Sequence, residues 1–362
     1  MNAAGAFGLF AALSLGASTA QADPWSKALS RCGADPALVE NPIAITPDIE
    51  AAAFTLSGGT GDALSQLRSL QSALFDPSRF TFDYDAHLTE TASQALRSGR
   101  GNCVAFTNLF IAMGRARGIP VKAGVVAPRV NGVKRGDLVY VTTHVVAVYA
   151  HAGRLVTFDF NRSRDDSDVH VRLVDDLELA ALYVNNRAVD ALGEGEFALA
   201  ESRLDQVLKL APGFAAAHGN LGVLRRRRGD TSGALDAYRR ALAIDPKDPA
   251  ILGNLAALYS GLGREREARA ALSLADLSRA SPYTMLARGD LEAADGRVDE
   301  ALRFYRRAAR LDPKIPEPQV SIARAARSAG RIDEARRAAA RAVKLDPGNV
   351  EASSILGGLP AD

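Results

Sequence analysis

The stretch "NLGVLRRRRGDTSGALDAYRRALAIDP", Asn220 to Pro246, reads as two short helices hinged at a glycine. Gly229 sits where the chain must reverse, a place for backbone with φ > 0, which costs nothing only without a Cβ. Ala234 follows five residues later and lets the second helix lie close on the first. Pro246 ends that helix, because it has no N–H to continue the ladder and its ring clashes with the preceding turn. The same punctuation recurs. Gly195, Gly229, Gly263, Gly296 and Gly330 are spaced by 33 or 34 residues, and Ala200, Ala234, Ala268, Ala301 and Ala335 each trail a glycine by five. Pro212, Pro246, Pro313 and Pro347 close the units, with Pro282 displaced in the third.

A period of 34 residues carrying Leu221-Gly222, Tyr238 and Ala241 at these offsets resembles the tetratricopeptide repeat. The resemblance implies about five units between Ala181 and Pro347, with a short tail as cap. Such a stack buries a continuous core only between neighbours and leaves a concave face for a protein or peptide partner.

No repeat appears upstream, between Thr46 and Glu178. Gly61–Phe75 and Leu88–Gly99 have helical spacing, with caps at Asp62 and Thr89. "LVYVTTHVVAVYA" (Leu138–Ala150) and "LVTFDF" (Leu155–Phe160) flank His151-Ala152-Gly153-Arg154, which is a hairpin signal. Helices first and strands afterwards predict an α+β domain and not a doubly wound sheet.

Between them lies "RGNCVAFTNLFIAMGRARGIPVKAG", Arg100 to Gly124. Asn102 suits an N-cap, which makes Cys103 the first residue of a helix apolar on most sides. Helix N-termini favour thiolate over thiol, the form a nucleophile requires. An Asn102 cap engages amides deeper in the turn and leaves that of Cys103 for an oxyanion. His144 lies within the first strand of the hairpin and Asp159 within the second. A two- or four-residue turn centred between Ala152 and Gly153 puts His144 opposite Asn161, so Asp159 shares its face as a diagonal neighbour; a three-residue turn separates them. Taken singly, each is an ordinary core or strand-end residue.

"GRGNCVAFTNLFIAMGRARGIPVKAGVV", "THVVAVY" and "VTFDFN" together resemble the bacterial transglutaminase-like superfamily, over roughly Thr81 to Asn161. That resemblance implies a papain-like fold with Cys103 as nucleophile, His144 as base and then acid, and Asp159 as the residue that orients His144. It also implies acyl transfer from an amide or peptide carbonyl, with water or an amine as acceptor; we favour water. An aromatic oxyanion donor is not evident in the sequence. Two other readings stand beside this one. In the first, the repeats form an adaptor whose papain-like domain is catalytically idle. In the second, Cys32 and Cys103 form a disulfide in an envelope scaffold.

The 362 residues are 47% hydrophobic and 24% charged with a formal net charge of +2, the composition of a folded, water-soluble chain. The repeat half, from Ala181 on, carries 28 basic and 24 acidic residues, which predicts neither a nucleic-acid nor another polyanion partner. Residues 1–22 read as a cleaved signal peptide ending at Ala20-Gln21-Ala22, although no Lys or Arg precedes the apolar stretch; an uncleaved N-terminal anchor is the alternative. Cleavage predicts a periplasmic or secreted protein without stable membrane insertion. The expected division is an extension over 23–45, the transglutaminase-like domain over 46–178 and the repeats over 179–362. No motif predicts a cofactor or a metal: "RSRDDSD" (Arg162–Asp168) lacks the spacing and central glycine of a calcium loop. His87 and His170 read as surface or structural, and Arg225–Arg228 as a solvated helix end.

Overall fold

The computed structural model describes residues 23–58, 61–135, 138–160, 170–275 and 281–360, with side chains placed outside 127–143 and 170. The signal-peptide reading of 1–22 and the Arg162–Asp168 loop lie outside the described residues.

Helix α1 (Pro24–Arg31) starts on Asp23, whose carboxylate accepts from the amides of Trp25 and Ser26. Helix α2 (Pro47–Ser57) is capped by Thr46, and α3 (Ala63–Leu74) by Asp62, which accepts from Ser65 N at 2.7 Å. A two-residue strand β1 (Asp83–Tyr84) precedes α4 (Ala92–Ser98). Its cap is Thr91, not Thr89 as the spacing suggested. Thr91 and Gln94 form a reciprocal capping box that satisfies two end amides at once, which a cap at Thr89 cannot match. Strand β2 (Arg100–Gly101) then pairs parallel to β1 and leads into α5 (Cys103–Ala116).

Helix α5 is the axis of this domain. Val104 to Gly114 are all buried. Phe106 lies within 6 Å of three rings, with centroids 5.5 Å from Phe75, 5.4 Å from Phe82 and 5.9 Å from Phe110. Phe110 continues the stack onto Phe158 at 4.7 Å. Beyond α5, strands β3 (Lys122–Arg135), β4 (Leu138–His151), β5 (Arg154–Phe158) and β6 (His170–Val174) form an antiparallel sheet in the order β5-β4-β3-β6. Helices cluster before the sheet, the expected α+β papain-like arrangement.

The remainder is helical. Helix α6 (Asp176–Glu194) begins on an Asp175 cap, so the division expected between residues 178 and 179 falls inside a helix. It pairs with α7 (Phe197–Leu210). Then come α8 (Ala215–Arg227) with α9 (Thr231–Ile244), α10 (Pro249–Gly261) with α11 (Glu265–Leu274), α12 (Pro282–Ala294) with α13 (Val298–Leu311), and α14 (Glu317–Ser328) with α15 (Ile332–Leu345). Helix α16 (Val350–Gly357) covers the last pair, giving five hairpins and a cap among the described residues. The five periodic glycines have φ between 70° and 82°, and the five periodic alanines are fully buried. Gly222 has a second cause: a Cβ there would lie 2.4 Å from Cε1 of buried Tyr238. Gly289 and Tyr305 repeat the contact at 2.3 Å.

The two halves share one apolar core that runs from Leu29 to Leu291. Strand β4 lies against α8 and α10. Arg115 forms a bidentate pair with Asp176 at 2.7 and 2.8 Å. The extension acts as a strap: Gln206 on α7 accepts from Asp35 N at 2.8 Å, Glu40 bonds the Tyr183 hydroxyl on α6, and Trp25 Nε1 donates to Val39 O. The arginine run is not a freely solvated end. Arg227 donates to Leu192 O at 2.5 Å and Arg228 pairs with Glu201 at 2.5 Å, both reaching the preceding hairpin, while Arg225 donates to Gly233 O.

Candidate active site

Asn102 caps α5 through Oδ1, which accepts from Val104 N at 3.0 Å and Ala105 N at 3.2 Å. Its Nδ2 donates to Thr89 Oγ1 at 2.6 Å, and its own N–H to Leu88 O at 2.8 Å, so the cap is fixed on three sides. Cys103, half-buried, is the first helical residue, and its amide is not among those Asn102 engages. Gly101 turns the chain into this position at φ 155°; a Cβ there would meet Ala105 Cβ at 2.4 Å.

The β4–β5 turn has two residues, Ala152 and Gly153, with φ of 48° and 76°. Both lie in the left-handed region, the pattern of a type I′ hairpin turn. His151 pairs with Arg154 and Ala147 with Phe158, so the register continues toward the arrangement that puts His144 and Asp159 on one face. His144 Nε2 and Asp159 Oδ2 are 2.9 Å apart, with side chains 8% and 12% exposed. The Cys103 side chain hydrogen-bonds the same imidazole. With Nε2 on Asp159, Nδ1 is the ring nitrogen left for sulfur. The three residues singled out in the sequence therefore meet in one cluster, drawn from a helix start, a central strand and the residue just past its neighbour, since β5 ends at Phe158 and not beyond Asp159 as expected.

The electrostatics follow from burial against partners. Burial alone lowers the imidazole pKa, but the hydrogen bonds to Asp159 and Cys103, reinforced by their charges, outweigh it and push His144 up to about 10. Asp159 is held by its backbone as well, since Gln71 Nε2 on α3 donates to Asp159 O at 2.9 Å. Among the described residues its buried Oδ1 has no hydrogen-bond partner, and His144 is the side chain paired with this carboxylate.

Two neighbours escaped the sequence reading. Tyr84 stacks on Phe160 with centroids 4.2 Å apart and planes 14° from parallel; Phe160 in turn meets His144 edge-on at 6.1 Å. Burial, followed by the charges of Cys103, Asp159 and Asp85, pushes the Tyr84 hydroxyl up to about 12. The parallel β1–β2 pairing places Tyr84 opposite Gly101, two residues before the cysteine. The Tyr84 hydroxyl is thus near enough to Cys103 and Asp159 for their charges to act on it, although a two-residue strand is too short to show a period. The alternation Phe80, Phe82, Tyr84 was the available signal.

Neither Cys32 nor Cys103 is in a disulfide, and Cys32 Sγ turns to Leu29 O at 3.1 Å. The disulfide scaffold is therefore not what this fold builds. His87 is exposed in a turn closed by its amide on Asp85, and the His170 side chain lies outside the described residues. Among the described residues no group of three or more His, Cys, Asp or Glu is placed to hold a metal, and no helix is long and apolar enough to cross a membrane.

Residues 50–160 match the model of the transglutaminase-like superfamily, and residues 185–249, 225–288 and 292–359 match tetratricopeptide-repeat models. Similar proteins include photosystem I assembly protein Ycf3 of Cyanophora paradoxa, 29% identical over 26% of this chain and 43% of that protein. Ycf3 of Synechococcus sp. (strain CC9311) is 26% identical over 42% of this chain and 85% of that protein. Tetratricopeptide repeat protein 36 of Bos taurus is 34% identical over 34% and 51%. The chain thus spans less than half of the first of these relatives and about half of the last. Among solved structures, Pseudomonas aeruginosa pilF aligns over 50% of this chain and 83% of that one, at 19% identity and a TM-score of 0.45. The chain carries a transglutaminase-like domain followed by tetratricopeptide repeats.

Proposed function

We propose that this transglutaminase-like domain, joined to its tetratricopeptide array, is an exported cysteine acyl-transfer enzyme that hydrolyses amide or peptide bonds in a protein substrate. The observation that carries the reading is the buried contact of His144 with Asp159 at 2.9 Å, together with the Cys103 hydrogen bond to the same ring. The thiolate of Cys103 attacks the amide carbonyl carbon, and the carbonyl electron pair moves onto oxygen. Imidazolium His144 gives its proton to the departing amine as the tetrahedral intermediate collapses to a thioester. Water then attacks, His144 takes its proton, and the acid product leaves. Asp159 keeps His144 oriented and stabilises the imidazolium. The Tyr84 hydroxyl and the Cys103 amide are the donors we assign to the oxyanion. Export rests on the apolar residues 1–22 ending in Ala20-Gln21-Ala22, and places the protein in the periplasm or outside the cell. The repeats hold the protein that is cut.

The test is ammonia release from glutamine-containing peptides, run beside incorporation of a fluorescent primary amine into casein. Release without incorporation, lost in Cys103→Ala and His144→Ala, supports hydrolysis. Incorporation that outpaces release reassigns the acceptor as an amine. Neither product, with Cys103 alkylated no faster than a free cysteine, refutes the enzyme and leaves the adaptor.

A further inference from the structure

Charge in the repeat half is nearly balanced in sum, yet the fold separates it. Helices α13 and α15 each begin with two acids, Asp299 and Glu300, Asp333 and Glu334, and carry their bases further along. The C-terminal half of α13 and the first and middle turns of α15, with Gln319 and Ile322 of α14, line an open cleft of about 800 Å³. Arg306, Arg310, Arg337 and Arg341 line it, and its one carboxylate, Glu334, is taken by Arg306. Arg310, Arg337 and Arg341 are exposed and have no ion-pair partner among the described residues. The floor beneath them is apolar, formed by Ala309, Ile322 and Ala338.

The opposite groove has the other sign. A cavity of about 340 Å³ on α10, α12 and α14 is lined by Asp290, Glu317 and Glu351 against a single base, Arg324. That base already pairs with Glu351 at 3.3 Å. An anionic ligand is repelled from this groove and attracted to the arginine cleft.

We infer that the arginine cleft between α13 and α15 docks an acidic, extended segment of a protein partner. Guanidinium groups match carboxylates in bidentate geometry, and three unpaired ones converging on a cleft fit carboxylates spaced along a chain. The apolar floor takes the aliphatic side chains between those carboxylates. The anion we assign is peptide rather than lipid, because the apolar floor of Ala309, Ile322 and Ala338 suits side chains set between the charges. This deepens the reading of the array as the part that holds the partner, and places the contact outside the concave face.

The test uses the full chain carrying Cys103→Ala, so that no turnover intrudes and a failure here leaves the Cys103 reading untouched. A fluorescein-labelled dodecapeptide of alternating glutamate and alanine is titrated by anisotropy at 50 and 300 mM salt, beside its lysine counterpart. We expect binding of the glutamate peptide alone, weakened by salt. Removal of Arg310, Arg337 and Arg341 together by substitution to Gln costs about tenfold or more, since exposed pairs contribute up to about fivefold each. All three are exposed, so melting is unchanged; Arg337→Gln alone, with a loss of a few-fold, carries the test should the triple variant fold poorly. Equal binding by the variants, equal binding of the lysine peptide, or capture by phosphatidylglycerol vesicles without capture of the glutamate peptide overturns the assignment.

Discussion

Replacing Asp159 by Asn removes one charge and little volume from the site, and its effect can be worked out from the geometry. The bond from His144 spans 2.9 Å between side chains 8% and 12% exposed, so solvent screens it weakly. A hydrogen bond to a charged group in such a place contributes about 1.5–3 kcal/mol, and one pH unit corresponds to about 1.4 kcal/mol. Loss of the carboxylate charge should therefore lower the His144 pKa by about one to two units from its position near 10. The assay is the rate of Cys103 alkylation by iodoacetamide between pH 4 and 10, in a Cys32→Ser background because Cys32 is a second cysteine outside any disulfide. The upper edge of that pH profile marks loss of the imidazolium proton beside the sulfur. In Asp159→Asn that edge moves down by one to two pH units, and turnover falls by about a hundredfold or more as the ring loses its orientation and becomes a weaker base. An upper edge that stays in place refutes the claim that Asp159 sustains the imidazolium.

Tyr84→Phe keeps the stack on Phe160 and removes only the hydroxyl; kcat should fall by about a hundredfold with little change in KM, whereas a purely structural role moves neither. Gly222→Ala forces a methyl to within 2.4 Å of the buried Tyr238 ring, and urea melts should show a loss of about 1–3 kcal/mol. Asn102→Ala removes the α5 cap and strands Thr89, for about 1–2 kcal/mol in the same melts, with slower Cys103 alkylation. His144 has a folded pKa raised above its ordinary 6.5, so its stabilisation is full below about pH 6.5 and vanishes as pH climbs through about 10. The destabilisation caused by His144→Gln should shrink across that window in calorimetric scans.

How much of this was legible depends on how locally each feature is encoded. The repeats were, because Gly195 through Gly330 and Ala200 through Ala335 each answer a constraint settled within one hairpin. Cys103, His144 and Asp159 were also legible as a set, since the helix start is marked by Asn102 and the hairpin by Ala152-Gly153. Tyr84 and Gln71 were not. Tyr84 reaches the site by pairing of two-residue strands, and Gln71 through a bond to a backbone carbonyl 88 residues away. Gln71 leaves no trace in the pattern, and for Tyr84 the alternation with Phe80 and Phe82 is the one trace. The arginine cleft was hidden for another reason: a sum over residues cancels charges that the helices sort to opposite faces of the array.

The single core that joins the halves has a practical consequence. A chain cut at Asp175 would lose the helices on which β4 and the strap rest, leaving Leu29, Val39 and their neighbours facing water. The transglutaminase-like piece made alone is therefore expected to clump, and heat should melt it together with the hairpins that share its core up to Leu291, the last hairpins having a cluster of their own. Swapping repeat arrays between such proteins would mean transplanting an interior, not changing a handle.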